Sequence, residues 1–302
     1  FWFFLISGVV ILIGIISLVT PFGRLKAGIE FSSGSMMTVG FEQEVEKSDL
    51  EKELASLDYT NVLIQGIGES DFLIRLPELS GEAKTKLEAG LTARFETLKV
   101  KEFDAVSPMV ATETAQNAAI AVAIAAIGIL LYITWAFRRM PNPFHYGTCA
   151  VVALIHDTLV ALGIFSILGG ILGWEINLMF ITGILAVIGY SVNNTVVIFD
   201  RIRENLTKDA KSDFEVVVNN SLVETLSRSL NTSLTTLFVV LALLLFVGAS
   251  IQNFAVVLLI GIIAGTYSSL CIAPQLLIVW RKREWGRFLQ WLPLPAGKAD
   301  GR

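Results

Sequence analysis

Six long apolar segments divide the chain, and polar stretches separate them. A helix of about 20 apolar residues is long enough to cross the hydrocarbon core of a bilayer. The pattern therefore predicts six transmembrane helices. The second to sixth helices lie within residues 117–280, and a tail follows at residues 281–302. The predicted helices lie at residues 1–20, 117–137, 147–170, 176–199, 230–249 and 253–280.

The longest polar stretch, residues 21–116, has the pattern of a small α+β domain. Ser48 and Glu51 have the spacing of a capping box at a helix start, and Gly68-Glu69-Ser70 is typical of a hairpin turn. Gly28 and Gly34 precede the domain and predict either a hinge or close packing of the chain. The order strand-helix-strand-strand-helix-strand predicts a ferredoxin-like fold. The predicted strands are 35–41, 61–67, 71–76 and 97–103, and the helices are 48–57 and 80–95.

The composition fits a membrane protein. Hydrophobic residues make up 54% of the chain and charged residues 17%, whereas soluble domains contain about 25% charged residues. Residues 21–116 carry a net charge of −7 and the rest of the chain +3. The acidic charge belongs to one insert, so it does not indicate a nucleic-acid partner.

Basic residues mark one side of the membrane. Arg138 and Arg139 follow the second apolar segment, a basic stretch from Arg201 to Arg228 joins the fourth to the fifth, and Arg281 begins another after the sixth. Basic connections lie in the cytoplasm by the positive-inside rule. Both termini are therefore predicted to be cytoplasmic, and the insert is predicted to lie outside.

Residues 203–227 are polar but carry apolar side chains at helical intervals. This pattern predicts an amphipathic helix lying on the cytoplasmic membrane surface. An ordinary connecting helix packed on the bundle fits the pattern equally well.

Polar side chains inside the apolar segments are candidates for function, because a charge at a helix centre costs about 2.5–3.5 kcal/mol on insertion scales. The first group is Gly189-Tyr190-Ser191-Val192-Asn193-Asn194-Thr195, which continues to Asp200 and Arg201. Asn193 and Asn194 are predicted either to carry function or to form hydrogen bonds between helices, as amides commonly do in membrane bundles.

Two further groups lie in neighbouring segments. Arg228, Asn231 and Thr235 form a polar stripe at helical spacing at the start of the fifth segment. The alternative for Arg228 is a side chain that reaches the lipid headgroups. His156 and Asp157 are adjacent within the third segment, which is typical either of a proton relay or of a buried structural contact.

No enzyme motif accompanies these groups. The sequence contains no H-E-x-x-H, no Cys/His spacing for zinc and no G-x-S-x-G. Cys149 and Cys271 are isolated in apolar segments. We predict that the chain is not an enzyme and binds no metal or cofactor.

Four stretches resemble the SecF branch of the SecD/SecF family. Gly189–Asn205 resembles G-Y-S-[IL]-N-D-T-V-V-[VI]-F-D-R-I-R-E-N, and Arg228–Thr236 resembles R-[ST]-[IL]-N-T-S-L-T-T. Gly28–Gly34, which includes Phe31, is similar to G-[IL]-D-F-x-G-G, and Ala153–Asp157 is similar to A-L-x-H-D. The resemblance covers essentially the whole chain in the family's order.

The resemblance implies an inner-membrane protein of the resistance-nodulation-division superfamily. It implies a six-helix half-bundle that pairs with SecD and cooperates with the SecYEG channel. Such a complex uses the proton-motive force to promote the translocation of unfolded preproteins. Membrane lipids surround the complex and are further expected partners. The resemblance also implies a proton-coupling network that contains position 194, Arg228, Asp157, Asn193 and Thr235.

The chain departs from the family pattern at one central position. Asn194 stands where the family has an aspartate, and an amide cannot carry a proton. Either the substitution is an engineered one that removes proton coupling, or coupling rests on other acids, such as Asp157 or an acid of SecD. Ser33 and Glu30 are milder departures in the element after the first segment.

Two other functions remain open from the sequence. One is a half-transporter of the same superfamily that exports small molecules or lipids, although such proteins usually have larger external domains. The other is an assembly partner of the translocon that does not itself pump.

Overall fold

The computed structural model describes residues 2–20, 25–43, 45–60, 62–67, 70–95, 98–208, 212–246 and 251–282. Within these ranges six helical segments are long and apolar enough to cross a membrane, as predicted. Most are longer than their apolar cores because polar turns extend them. They are α1 (Trp2–Val19), α5 (Pro108–Ala136), α6 (Pro143–Leu172), α7 (Leu178–Lys208), α8 (Phe214–Phe246), and α9 (Gln252–Cys271) with α10 (Ala273–Lys282). Gly68, Glu69 and most of the predicted tail, 283–302, lie outside the described residues.

The sixth predicted span consists of two helices. The break lies at Ile272, two residues before Pro274. A proline inside a helix lacks the N–H donor, and its ring clashes with the carbonyl four residues earlier. Helical hydrogen bonding nevertheless continues across the break, because Leu276 N donates to Ile272 O at 2.9 Å.

The prediction of one helix at 203–227 is wrong. α7 extends to Lys208, and α8 begins at Phe214 and runs without interruption into the fifth span. Phe214 and Val218 are buried in the same apolar cluster as Phe199 of α7. These apolar side chains therefore face the bundle, as in the packed alternative, whereas Val223 and Leu226 are exposed.

Residues 34–106 form a unit that we call the sheet domain. It contains β2 (Gly34–Gly40), α3 (Lys47–Ser56), β3 (Leu63–Gly66), β4 (Asp71–Leu76), α4 (Gly81–Arg94) and β5 (Lys99–Val106). The strands form an antiparallel sheet in the order β3-β4-β2-β5. Met37 of β2 is paired with Ile74 of β4 and Phe103 of β5. Leu50 and Leu54 of α3, at helical spacing, pack into the same core.

The two helices of the sheet domain begin differently. α4 follows Ser80, where a helix was predicted to start, and Ser80 caps it, because its hydroxyl accepts a hydrogen bond from Ala83 N at 3.3 Å. The predicted Ser48–Glu51 capping box is wrong. α3 begins one residue earlier, with Glu46 at the N-cap, and the Ser48 hydroxyl donates to the Glu46 carboxylate at 3.2 Å.

A short two-stranded sheet joins the sheet domain to the bundle. β1 (Lys26–Ala27) pairs in parallel with β6 (Glu175–Ile176), and α2 (Ile29–Ser32) follows β1. Arg75 of β4 binds both strands: its Nη1 lies 2.6 Å from Glu175 Oε1, and its Nη2 donates to Ala27 O at 2.7 Å. Burial raises the pKa of Glu175, and the charge of Arg75 opposes this rise.

Gly28 and Gly34 serve close packing rather than a hinge. A β-carbon at Gly28 would lie 2.8 Å from Ile176 O, to which the Gly28 N–H already donates. Gly34 has φ +123°, a conformation that favours glycine, and a β-carbon there would lie 2.8 Å from Leu76 O. Both glycines thus fix the chain where it enters the sheet domain.

Candidate functional site

Asp157 is at the centre of a polar cluster inside the bundle. It lies near the middle of α6 and is 1% exposed. Its Oδ2 accepts hydrogen bonds from the Ser191 hydroxyl of α7 at 2.5 Å and from the Ser268 hydroxyl of α9 at 2.8 Å. Hydrogen bonds to a charged group contribute about 1.5–3 kcal/mol each. The carboxylate therefore links three transmembrane helices.

His156 connects this cluster to the first helix. Its Nδ1 lies 3.0 Å from Asp157 Oδ1, and its Nε2 lies 2.9 Å from the Ser7 hydroxyl of α1. The Ser7 hydroxyl donates to the phenol oxygen of Tyr267 at 3.5 Å, and the Tyr267 hydroxyl donates to Phe3 O at 2.8 Å. A row of groups that can exchange protons thus runs from the buried carboxylate to the α1–α9 side of the bundle.

Asn194 belongs to a second buried group beside the first. It is 2% exposed, and its amide donates to the Ser233 hydroxyl of α8 at 3.3 Å. Thr266 of α9 donates to the same hydroxyl at 2.7 Å. Asn194 lies three residues after Ser191, on the same side of α7. The two buried groups are therefore adjacent along both α7 and α9.

The resemblance places position 194 and Arg228 in one proton-coupling network, and we expected the two side chains to face each other; the structure does not bring them together. None of the hydrogen bonds or ion pairs among the described residues joins them, and Arg228 is exposed. The reason is geometric. Arg228 lies five residues before Ser233, which is about 140° around an α-helix with 3.6 residues per turn. When Ser233 faces Asn194, Arg228 points away from the bundle.

The predicted polar stripe of α8 is real, but it faces outward. Arg228, Asn231 and Thr235 are all exposed, whereas Ser229 and Ser233 are buried. α7 has a similar exposed face with Gly189, Asn193 and Asp200. We call these two surfaces, one on each helix, the outer polar face. Its residues are Gly189, Asn193, Asp200, Arg228, Asn231 and Thr235.

Arg201 joins α7 to α8 at one end of this face. Its guanidinium binds the carboxylates of Glu204 and Glu224 at 2.5 Å each. Glu224 also accepts a hydrogen bond from the Asn205 amide at 2.8 Å. These contacts hold α7 against α8, so the D-R-I-R-E-N end of the Gly189–Asn205 signature positions the two helices.

Three other signature residues have different surroundings. The Tyr190 hydroxyl is buried and has no hydrogen-bond partner among the described residues. The Thr195 hydroxyl donates to Ser191 O at 3.2 Å within α7. Phe31 lines an apolar groove with Ala118 of α5 and Ile184 of α7.

Sequence reasoning missed several members of the two buried groups. They are Ser7, Ser233, Thr266, Tyr267 and Ser268. A spacing signal was available for α9, where Gly261 and Gly265 are four residues apart, as in helices that pack closely in membranes. Gly265 lies against Ser191, and its β-carbon position is 3.0 Å from Ser191 Cβ. No group of three or more His, Cys, Asp or Glu side chains suited to a metal occurs in the described part of the chain.

These features define a multi-pass membrane protein whose bundle has a buried polar interior and an outer polar face. Residues 86–283 match the family described as Protein export membrane protein SecD/SecF, C-terminal. The protein translocase subunit SecF of Thermobaculum terrenum is 41% identical over 300 residues, covering 95% of this chain and 94% of the relative. That of Anaerolinea thermophila is 40% identical over 287 residues, covering 94% and 92%. The chain therefore belongs to the SecD/SecF family of protein-export membrane proteins.

Some relatives are longer, and this chain matches only one part of them. The protein translocase subunit SecDF of Bacillus subtilis is 37% identical, and the match covers 94% of this chain but 37% of the relative. The crystal structure of SecDF from Thermus thermophilus, described as a translocon-associated membrane protein, superposes with a TM-score of 0.81 at 31% identity. It covers 93% of this chain, which spans 38% of the SecDF chain. Membership of this family gives the chain a role in protein export.

Proposed function

We propose that this chain is the SecF half of a SecD–SecF complex in the bacterial inner membrane. In this role it uses the proton-motive force to promote preprotein translocation through the SecYEG channel. The role is not enzymatic and requires no cofactor. The outer polar face carries the proposal, because it is a surface that a membrane protein cannot leave in contact with lipid.

Contact with lipid would cost free energy at Arg228, Asn231 and Thr235. A charged side chain costs about 2.5–3.5 kcal/mol at the centre of a membrane helix and less near its end, where Arg228 lies. Asn231 and Thr235 continue the polar surface one and two turns further into the span. A protein partner with its own polar side chains removes this cost, whereas lipid does not.

Small residues at the same surface support close packing of that partner. A β-carbon at Gly189 would have no neighbour within 4 Å in this chain, and helices in membranes approach one another at small residues. The SecDF relatives contain this chain within a polypeptide more than twice as long. A second, SecD-type half is therefore the partner that fits this face.

We also propose the finer assignment of the sheet domain. Its strand order β3-β4-β2-β5, all antiparallel, with one helix after the first strand and one after the third, supports a ferredoxin-like fold. The positive-inside rule supports its location outside the cell membrane, with both termini in the cytoplasm. On that side it would contact unfolded preprotein as it leaves the channel.

Site-specific photocrosslinking in cells that express SecD tests the partner. A photoreactive amino acid at Asn231 or Thr235 is expected to form a crosslink to SecD. The matched control is Ile124 of α5, an exposed apolar side chain, which is expected to contact lipid. Crosslinks to SecD from position 124 but not from 231 or 235 would reject the proposed pairing face.

The sheet domain is tested with the same chemistry. Photoreactive groups at its exposed positions Leu63 and Val100 should react with a preprotein stalled in the channel. A copy of the complex without preprotein provides the control. Absence of a preprotein adduct from every surface position of the domain would remove this part of the proposal, and it would leave the pairing with SecD intact.

A further inference from the structure

We propose that the Asp157–His156 pair is the site where this chain takes up and releases a proton, and that Ser7 and Tyr267 connect the pair to the surface of the bundle. The inference rests on the proposed proton-driven function. It identifies a group that can titrate in a chain where position 194 is an amide.

Burial and position set Asp157 of α6 apart from three acidic side chains of α7 and α8. It is 1% exposed near the middle of a 30-residue helix. Asp200, Glu204 and Glu224 instead have side chains that are 56%, 48% and 43% exposed, and each binds an arginine. Those surface pairs can exchange protons with water directly, whereas Asp157 can do so only through its neighbours.

The groups that face the pair come from four helices. They are His156 itself on α6, Ser7 on α1, Ser191 on α7, and Ser268 and Tyr267 on α9. Tyr267 also stacks on the His156 ring, with centroids 6.1 Å apart.

The contacts form a continuous proton path. In the structure Ser7 donates to Tyr267 and Tyr267 donates to Phe3 O, so both hydroxyls must rotate before uptake. After this rotation, a proton that arrives at the Tyr267 oxygen lets Tyr267 release its own proton to Ser7. Ser7 then protonates His156 Nε2, and the proton on Nδ1 moves to Asp157 Oδ1. The imidazole ends neutral in its other tautomer, and the carboxylate becomes a carboxylic acid. Reversal of the same steps releases the proton.

Protonation of Asp157 would change the contacts between helices. Ser191 and Ser268 both donate to Oδ2 of this residue, and a hydrogen bond to a carboxylate is about twice as strong as one to a neutral acid. Uptake of a proton therefore loosens α7 and α9 from α6. Because α7 also carries Asn193 of the outer polar face, the change reaches the surface that we assign to the partner.

Infrared difference spectroscopy of the full chain purified with SecD tests proton binding directly. A pH titration should produce a carboxylic-acid band that Asp157→Asn removes. We expect Ser7→Ala and Tyr267→Phe to keep the band but to slow proton uptake by about tenfold, the rate equivalent of one lost hydrogen bond. His156→Gln preserves hydrogen-bonding capacity but cannot relay a proton, so it should slow uptake as well.

The matched control is Ser17→Ala. It removes the 2.9 Å contact between the Ser17 and Ser166 hydroxyls, which joins the same two helices outside the proton path, and it should leave uptake unchanged. A band that persists in Asp157→Asn would overturn the proposal. Proton uptake at the unmodified rate in His156→Gln would indicate a structural role for His156 and would also overturn the proposal. Equal effects of Ser7→Ala and Ser17→Ala would overturn the path through Ser7.

Failure of the proposed function has a different signature. If export by the unmodified complex does not depend on the proton-motive force, proton-driven export is wrong. The infrared band and its loss in Asp157→Asn would still establish the proton site. If export depends on the force but the band does not belong to Asp157, only the proton site is wrong.

Discussion

Gly261 of α9 lies directly against Val187 of α7, and a β-carbon on this glycine would overlap the valine side chain. Four residues later, Gly265 makes the corresponding contact with Ser191. The packing of α9 against α7 thus depends on two glycines in α9. The same contact sets the position of Ser191, whose hydroxyl binds Asp157.

Gly261→Ala should therefore destabilise the protein. Overpacking of a close contact costs about 1–3 kcal/mol, and the better helix propensity of alanine offsets at most about 1 kcal/mol. Gly128→Ala in α5 is the control, because no atom lies within 4 Å of its β-carbon position. Thermal unfolding in lipid nanodiscs should show a lower midpoint for the first variant only, and equal midpoints would contradict this packing.

Glu175 should make stability depend on pH. Burial raises its pKa above the ordinary value of 4.5, in spite of Arg75. An acid with a raised pKa in the folded state stabilises the fold most below 4.5, and this contribution is lost as pH rises through the raised pKa. Glu175→Gln should remove this loss. Unfolding midpoints between about pH 4 and 7 measure it, with the exposed Glu102→Gln as control; parallel curves for wild type and Glu175→Gln would contradict it.

The proposed topology predicts opposite accessibility for two exposed positions. A cysteine at Lys86 of the sheet domain should react with a membrane-impermeant reagent in intact cells. A cysteine at Thr207, near the end of α7, should react only after the membrane is opened. The reverse pattern would exclude the proposed orientation.

Asn194→Asp should add a second group that can titrate. Asn194 lies beside the hydroxyls of Ser233 and Thr266, which can donate to a new carboxylate. We expect stronger dependence of export on an imposed pH gradient. Asn194→Ser removes the amide without adding an acid and should not have this effect. No gain in the aspartate variant would exclude position 194 from proton coupling in this chain.

The sequence predicts the order of the six spans and of the sheet domain's elements well because these depend on local patterns, but it did not predict the short elements β1, α2 and β6. The six apolar segments are each long enough to be recognised separately, and the strands and helices of the sheet domain alternate clearly. The capping box at Ser48 failed because Glu46 satisfies the serine hydroxyl and the helix starts at Lys47. A motif of four residues cannot show whether Ser48 or a residue two positions earlier is the N-cap.

The orientation of the polar stripes could not be predicted from one chain. Spacing correctly places Arg228, Asn231 and Thr235 on one face of α8, but it does not show which way that face points. In a membrane, a polar face is expected to point into the bundle, where other polar side chains can bind it, unless a second protein covers it on the outside. The contacts of Ser7 with His156 were equally hidden, because they depend on how α1 packs on α6 through Gly14 and Gly163.

The most direct test of the account is export driven by an imposed proton gradient, in vesicles that contain SecYEG, SecD and this chain. The account predicts that Arg228→Leu reduces the gradient-dependent part of translocation to the level without this chain. Arg139→Leu, which changes an exposed arginine between α5 and α6, should leave it intact. Full gradient-dependent translocation with Arg228→Leu would contradict the assignment of the outer polar face to a proton-driven partner complex.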